Sequence, residues 1–173
     1  MTSTEKELLE DNSQITIHRN KTLTDIFSKF TYGLYTLSCG DNICVIDTAM
    51  QITSAKTDKV TIAISINKQS ETGKLIRENE DFAVGILADY TPKEIVEQFG
   101  FGHSSEKNKF YSLDYLLVDG IRIPYEYLVS YLICRPVNQI EFSDHYLIIG
   151  EVIDYKYLNE EEPLTYKDYK EMN

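Results

Sequence analysis

Residues 51–73 read QITSAKTDKVTIAISINKQSETG, and the run at their centre decides the fold. Apolar Val60, Ile62, Ile64 and Ile66 alternate there with Thr61, Ala63 and Ser65. A period of two puts alternate side chains on opposite faces of a β-strand. Hydroxyls, amides and lysines crowd both ends of the run. Between residues 51 and 77, Lys56, Lys59, Lys68, Lys74 and Arg77 stand against Asp58 and Glu71. The local balance is +3 in a chain whose net charge is −11. Such a reversal of sign suits a place that holds something anionic. The same residues also fit an ordinary strand with solvated ends, its lysines guarding an edge.

The pattern continues outward. YGLYTLSC (32–39) and NICVIDTAM (42–50) read as two strands joined by a turn at Gly40-Asp41. DFAVGIL (81–87), YLVSYLIC (127–134) and HYLIIGEVIDYKYL (145–158) are further strands, and YLLVDGIRI (115–123) is a hairpin through Asp119-Gly120. Helices are short. TLTDIFSKF (22–30) groups Leu23, Ile26, Phe27 and Phe30 on one face behind Thr24 as cap. SETGKLIREN (70–79) is a second. TPKEIVEQFG (91–100) opens with Thr91 as cap and Pro92 in the first turn, and stops at Gly100. HSSEKNKF (103–110) reads as an exposed polar loop, and the acidic, Tyr-bearing end beyond residue 158 carries no assigned element. Many strands joined mostly by turns favour an antiparallel barrel or sandwich over a doubly wound sheet. No Rossmann or P-loop glycine motif is present.

Composition narrows the function. The 173 residues suit one folded domain, 22–173, behind an N-terminal extension, 1–21. The negative balance excludes a general nucleic-acid binder, which needs a broad basic face. Three cysteines, Cys39, Cys44 and Cys134, form no C-x-x-C and suggest a reducing, cytoplasmic setting. Cys44 and Cys134 read as small buried hydrophobes, whereas Cys39 precedes a turn, which leaves its exposure open. His18, His103 and His145 are scattered, so no metal site is expected. The polar, acidic start MTSTEKELLEDNSQ is neither a signal peptide nor a membrane anchor.

Five pieces in order carry a resemblance: YGLYTLSCGDNICVIDTAMQITS, AISINKQSETGKLI, FGFG…KF, DHYLIIGEV and PLTYKDY. Together they resemble the flavin reductase-like family of FMN-binding split β-barrels, nearest to the flavin domain of high-molecular-weight rubredoxins and the flavoredoxins. The resemblance implies a mainly β, six-stranded Greek-key split barrel with a few short helices, assembled as a homodimer with FMN near the interface. It implies that Asp47, Thr48, Gln51, Thr53 and Ser54 wrap the flavin, that Asn67, Lys68, Ser70 and Thr72 help hold its phosphate, and that Phe101 adds a contact. Gln51 offers both a donor and an acceptor to a flavin ring. The chain departs from the family at Asp47, where Asn is common, and at Gly73, where His is common. The F-G-F-x-S-G-R segment is reduced to residues 99–105, FGFGHSS.

The implied activity is that of an FMN-dependent oxidoreductase. It would take electrons from NAD(P)H or a redox protein and pass them to a small acceptor or redox partner, without a side-chain nucleophile. The alternative is a non-catalytic split barrel that binds haem or another ligand. Asp144-His145 opens a strand, where an Asp–His hydrogen bond orienting the strand start and a role near the ligand are both open readings. Tyr166 packs either in the core or against the flavin or a partner subunit.

Overall fold

The computed structural model describes residues 21–100 and 108–172. The chain forms two compact units that meet in sequence between Phe30 and Thr31. In the first, α1 (Leu23–Phe27) starts at Thr22, whose Oγ accepts from the Asp25 backbone N–H while the Asp25 carboxylate accepts from the Thr22 N–H. The cap is therefore Thr22 and not Thr24, because the reciprocal pairing needs a carboxylate three residues on. The helix stops at Phe27, short of the expected residue 30.

The second unit is built on one antiparallel sheet. Its strands are β1 (Tyr35–Cys39), β2 (Asn42–Ile46), β3 (Ala49–Gln51), β4 (Thr61–Asn67), β5 (Phe82–Leu87), β8 (Leu128–Glu141) and β9 (His145–Tyr157), in the order β2-β1-β5-β8-β9-β4-β3. Between them come α2 (Glu71–Arg77), α3 (Lys93–Gly100) and the separate hairpin β6 (Leu116–Val118) and β7 (Ile121–Ile123), with α4 (Tyr166–Glu171) near the end. Both expected turns form: Gly40 has φ 55°, and Asp119 and Gly120 have φ 48° and 83°. Successive positive φ values are what a two-residue hairpin turn demands.

Strand order dictates a curled sheet. β2 and β3 lie at opposite edges, yet only Asp47 and Thr48 separate them in sequence. Three residue steps span at most about 11 Å, whereas seven strands laid flat measure about 29 Å across. The edges therefore approach each other where the chain steps from one to the other, and the Ser65 N–H donates to the Thr48 carbonyl at 3.2 Å. The result is a split barrel with six strands of five residues or more and the three-residue β3 as a rim.

Leu37, Ile64, Phe82, Val84, Cys134 and Ile148 fill one core cluster, and Leu34, Leu87, Ile123, Leu128, Ile133 and Leu164 fill a second. Ile62, Ile64 and Ile66 are buried as the alternation requires. The run 42–50 is two strands rather than one. β8 continues beyond residue 134 through Pro136, where its register with β9 shifts. A proline that lacks an N–H is tolerated at such an irregularity. α4 was not foreseen. Thr91 is buried and its Oγ donates to the Ala88 carbonyl at 2.7 Å, which uses the hydroxyl in the turn before α3.

Candidate functional site

Where the sheet edges meet, a cavity of about 620 Å³ opens between β2, the end of β4 and the start of α2. Cys44, Val45, Ile46 and Asp47 supply one wall, and Ser65, Ile66 and Asn67 face them from β4. Gln69, Ser70, Glu71 and Thr72 follow around the corner into α2, beside His145. Leu34, Val96, Tyr166 and Tyr169 supply apolar and aromatic surface, so one region is polar and another is not.

The polar corner is organised by local chain geometry. Ser70 caps α2, accepting from the Gly73 N–H at 3.2 Å, and its hydroxyl also donates to the Cys44 sulfur at 3.8 Å. Asn67 accepts from the Gln69 N–H at 2.9 Å, which shapes the turn between β4 and α2. A side chain at position 73 would bring its first carbon within 3.1 Å of Ile66 Cδ1, so in this chain glycine lets α2 lie close on β4. Burial pushes the Cys44 thiol up from its ordinary pKa, and hydrogen bonds with Ser70 and Thr72 and the charge of Lys109 oppose that shift.

Lys109 enters the wall from the segment after α3. It is only 6% exposed, and its Nζ donates to the Phe99 carbonyl at 2.7 Å. Burial draws its pKa down, and the neighbouring Cys44 opposes the shift. At the other side, His145 Nδ1 donates to Asp144 Oδ1 at 3.0 Å. That hydrogen bond, foremost, holds the Asp144 carboxyl below its usual range. The bond forms at the start of β9, and His145 also lines the cavity, so both readings of the pair keep a structural footing.

Of the residues expected to touch a ligand, Asp47, Asn67, Ser70 and Thr72 are brought together in the cavity wall. Thr48, Gln51, Thr53, Ser54 and Lys68 are not part of it. Thr48 donates to Asp47 Oδ1 at 2.9 Å. Gln51 Nε2 donates to the Thr53 carbonyl, and the Thr53 hydroxyl accepts from the Thr61 N–H, so both bind the 51–61 loop to itself. The Ser54 hydroxyl accepts from the Lys56 N–H. Lys68 pairs with Glu141 at 2.5 Å and lies over the Tyr146 ring. Phe101 and His103 lie outside the described residues. Cys44, Lys109 and Tyr169 were missed as wall residues; the KF pair that carried part of the resemblance was the only hint of Lys109. Cys39, whose exposure was open, is buried and donates to the Asp81 carbonyl at 3.4 Å.

Residues 27–172 match the family model described as flavin reductase like domain. The chain is 36% identical over 155 residues to a high molecular weight rubredoxin of Moorella thermoacetica, covering 86% of this chain and 66% of that protein. It therefore spans just under two thirds of that relative's length. It is 32% identical over 153 residues to a ferric-chelate reductase (NAD(P)H) of Archaeoglobus fulgidus, covering 84% of this chain and 87% of the relative. Among solved structures, an NADH:FAD oxidoreductase of Streptomyces globisporus superposes with a TM-score of 0.73 at 19% identity, covering 83% of this chain and 85% of the other. Flavoredoxin from Methanosarcina acetivorans superposes with a TM-score of 0.65 at 18% identity, covering 83% and 75%. The chain belongs to the flavin reductase-like domain family.

Proposed function

We propose that this member of the family is an oxidoreductase that uses FMN, taking electrons from NAD(P)H or a redox protein and passing them to a small acceptor or a redox partner. The observation that carries the reading is the cavity at the meeting of the sheet edges, with hydroxyls and a buried lysine in one region and apolar rings in another. Its volume lies within the range usual for small-ligand sites, about 300–1,000 Å³. A flavin mononucleotide has the same division, an anionic phosphate at one end and a flat apolar ring at the other. The bound flavin supplies the hydride and electron chemistry. The chain binds the phosphate end through Asn67, Ser70 and Thr72 and limits water around the ring through Leu34, Val96, Tyr166 and Tyr169. In this reading Asp47 lies beside the ring, and Thr48, Gln51, Thr53, Ser54 and Lys68 support the surrounding loops.

The active form is a homodimer. Met50 on β3, Ile52 just after it, Ile140 on β8, Phe142 in the β8–β9 turn and Tyr155 on β9 leave apolar side chains exposed, Phe142 at 55% and Tyr155 at 72%. Surface of this kind suits a second copy of the chain. Cys39, Cys44 and Cys134 are free thiols, consistent with a reducing compartment. No helix among the described residues is long and apolar enough to cross a membrane. The test is an absorption spectrum of the purified protein, followed by anaerobic addition of NADH and then NADPH. Oxidised-flavin absorption that bleaches on addition is expected. A haem Soret band, or a colourless protein that refuses added FMN, overturns the reading.

A further inference from the structure

A second cleft lies apart from the cavity and shares no lining residue with it. Its volume is about 220 Å³, and it opens between the end of α2 and the middle of β8. Ile76 and Ile148, both buried in the core, form its floor beside Pro136 and Val137. Arg77, Asn79, Asn138 and Gln139 form its rim.

Residues 136–139 of β8 all line this one cleft. An ordinary strand cannot do that, because successive side chains point to opposite faces. The irregularity in β8 makes it possible. Pro136 pairs with Gly150 and Asn138 with Ile149, which leaves Val137 without a partner on β9. An extra residue of this kind bends the strand and re-aims its side chains. Asn138 Oδ1 accepts from the Gln139 N–H at 2.8 Å, which fixes the carboxamide and leaves its NH₂ group as a donor. Across the cleft, Asn79 follows the cap of α2 with φ 69°, a conformation that asparagine adopts more readily than most residues. The carboxamides of Asn79 and Gln139 have no protein partner among the described residues.

Arg77 supplies the charge. Of the cations between residues 51 and 77, Lys59, Lys68 and Lys74 pair with carboxylates, and Arg77 does not. Its Nε donates to the Gly73 carbonyl at 3.2 Å, and its guanidinium lies 4.3 Å over the Tyr146 ring. Both contacts hold the group in place, yet they use one of its five N–H donors. Glu141 lies within its electrostatic reach but is bonded to Lys68 at 2.5 Å.

We propose that this cleft binds a small aliphatic monocarboxylate, its carboxylate on Arg77 and the neighbouring carboxamides and its tail on Ile76 and Ile148. A guanidinium fork matches the two oxygens of a carboxylate. A single cation answers a single negative charge, and the buried floor favours a hydrocarbon end. The volume falls below the range usual for drug-sized ligands, about 300–1,000 Å³, so the cleft does not take a second flavin or a nicotinamide cofactor. The inference is independent of the flavin reading.

Isovalerate, its uncharged amide isovaleramide, and acetate are titrated into the purified protein and followed by saturation-transfer NMR, with inorganic phosphate as a competitor. Saturable binding of isovalerate is expected, at least about tenfold tighter than isovaleramide, which lacks the charge, and than acetate, which lacks the tail. Arg77→Gln weakens isovalerate at least about tenfold, and Asn138→Ala about fivefold, the loss of one hydrogen bond. Asp47→Asn, in the wall of the other cavity, leaves binding unchanged. Should Arg77→Gln fail to fold, Asn138→Ala and Gln139→Ala, both at exposed positions, carry the test. No binding of isovalerate by the wild type, equal binding of the amide or of acetate, or full affinity in Arg77→Gln overturns the proposal. So does displacement of isovalerate by an equal concentration of phosphate, or loss of binding in Asp47→Asn.

Discussion

The Ser70 hydroxyl donates to the Cys44 sulfur across 3.8 Å, tying the cap of α2 to β2 at the cavity wall. Cys44 lines the cavity whereas Cys39 and Cys134 are buried, so it is the thiol that a reagent entering the cavity meets first.

Thiol reactivity should follow that placement. Burial, then the charges of Glu80 and Asp81, pushes Cys39 up to about 12. Burial, then Asp81, does the same to Cys134. Cys44 is also raised, so all three remain protonated at neutral pH and the nucleophilic thiolate is scarce. The expected outcome is slow labelling by a thiol reagent in the native state, Cys44 first, and rapid labelling of all three after unfolding. Bound FMN slows Cys44 further. Mass spectrometry over a labelling time course checks the order, and a fast burst at Cys39 or Cys134 contradicts it.

Asp47 lines the cavity while remaining exposed. A carboxylate beside a flavin ring disfavours the negative charge that reduction brings, and solvent screens the effect. Asp47→Asn should raise the midpoint potential of bound FMN by about 10–20 mV, a fraction of the ~30 mV that corresponds to 1.4 kcal/mol for two electrons. Spectroelectrochemistry near neutral pH reads the shift. An unchanged potential together with unchanged FMN affinity removes Asp47 from the ring's surroundings.

Gly150 tests the barrel interior. It sits on β9 opposite Ile62 of β4, and a Cβ there would lie 2.7 Å from Phe82 Cζ and 3.1 Å from Cys134 Cβ. Phe82 and Cys134 are fully buried and have no free space to yield. Gly150→Ala is expected to lower unfolding free energy by about 1–3 kcal/mol, as overpacking does. Urea unfolding at constant m-value measures it, and a neutral substitution would mean that the interior relaxes freely around Phe82.

The exposed apolar surface makes a prediction about assembly. A homodimer of about 40 kDa, twice the 20.0 kDa chain, is expected in solution. Phe142→Asp, placing a charge on that surface, should shift sedimentation toward the monomer while far-UV circular dichroism is unchanged. A wild-type monomer that binds FMN fully refutes the placement of the cofactor at a two-fold interface.

Much of the fold was legible because its signals are local. The alternation in residues 59–66 and the Asp119-Gly120 turn follow from neighbours in sequence, and both form. The break at Asp47-Thr48 did not show, because it comes from strand order: the chain must leave one sheet edge and join the other there. Pro136 hid the second half of β8, since a proline reads as a strand end until a register shift absorbs it. Of the site, Ser70 and Thr72 were legible through their place after β4. Lys109 was not, because it lies in a polar run and is buried only through packing around Phe99. Lys68 stood out as a cation near the strand, but its charge is met by Glu141, a residue distant in sequence.

The two-residue step at Asp47-Thr48 also bears on solubility. A free sheet edge offers unpaired N–H and C=O groups to any other extended chain. An open seven-stranded sheet would leave two such edges far apart, each available as a template for aggregation. Here the edges are β2 and the three-residue β3, held near each other by consecutive stretches of the same chain. Drawn together at the Asp47-Thr48 step, they do not stand apart as two separate templates, so the linkage beside the cavity also limits where intermolecular strand addition could begin.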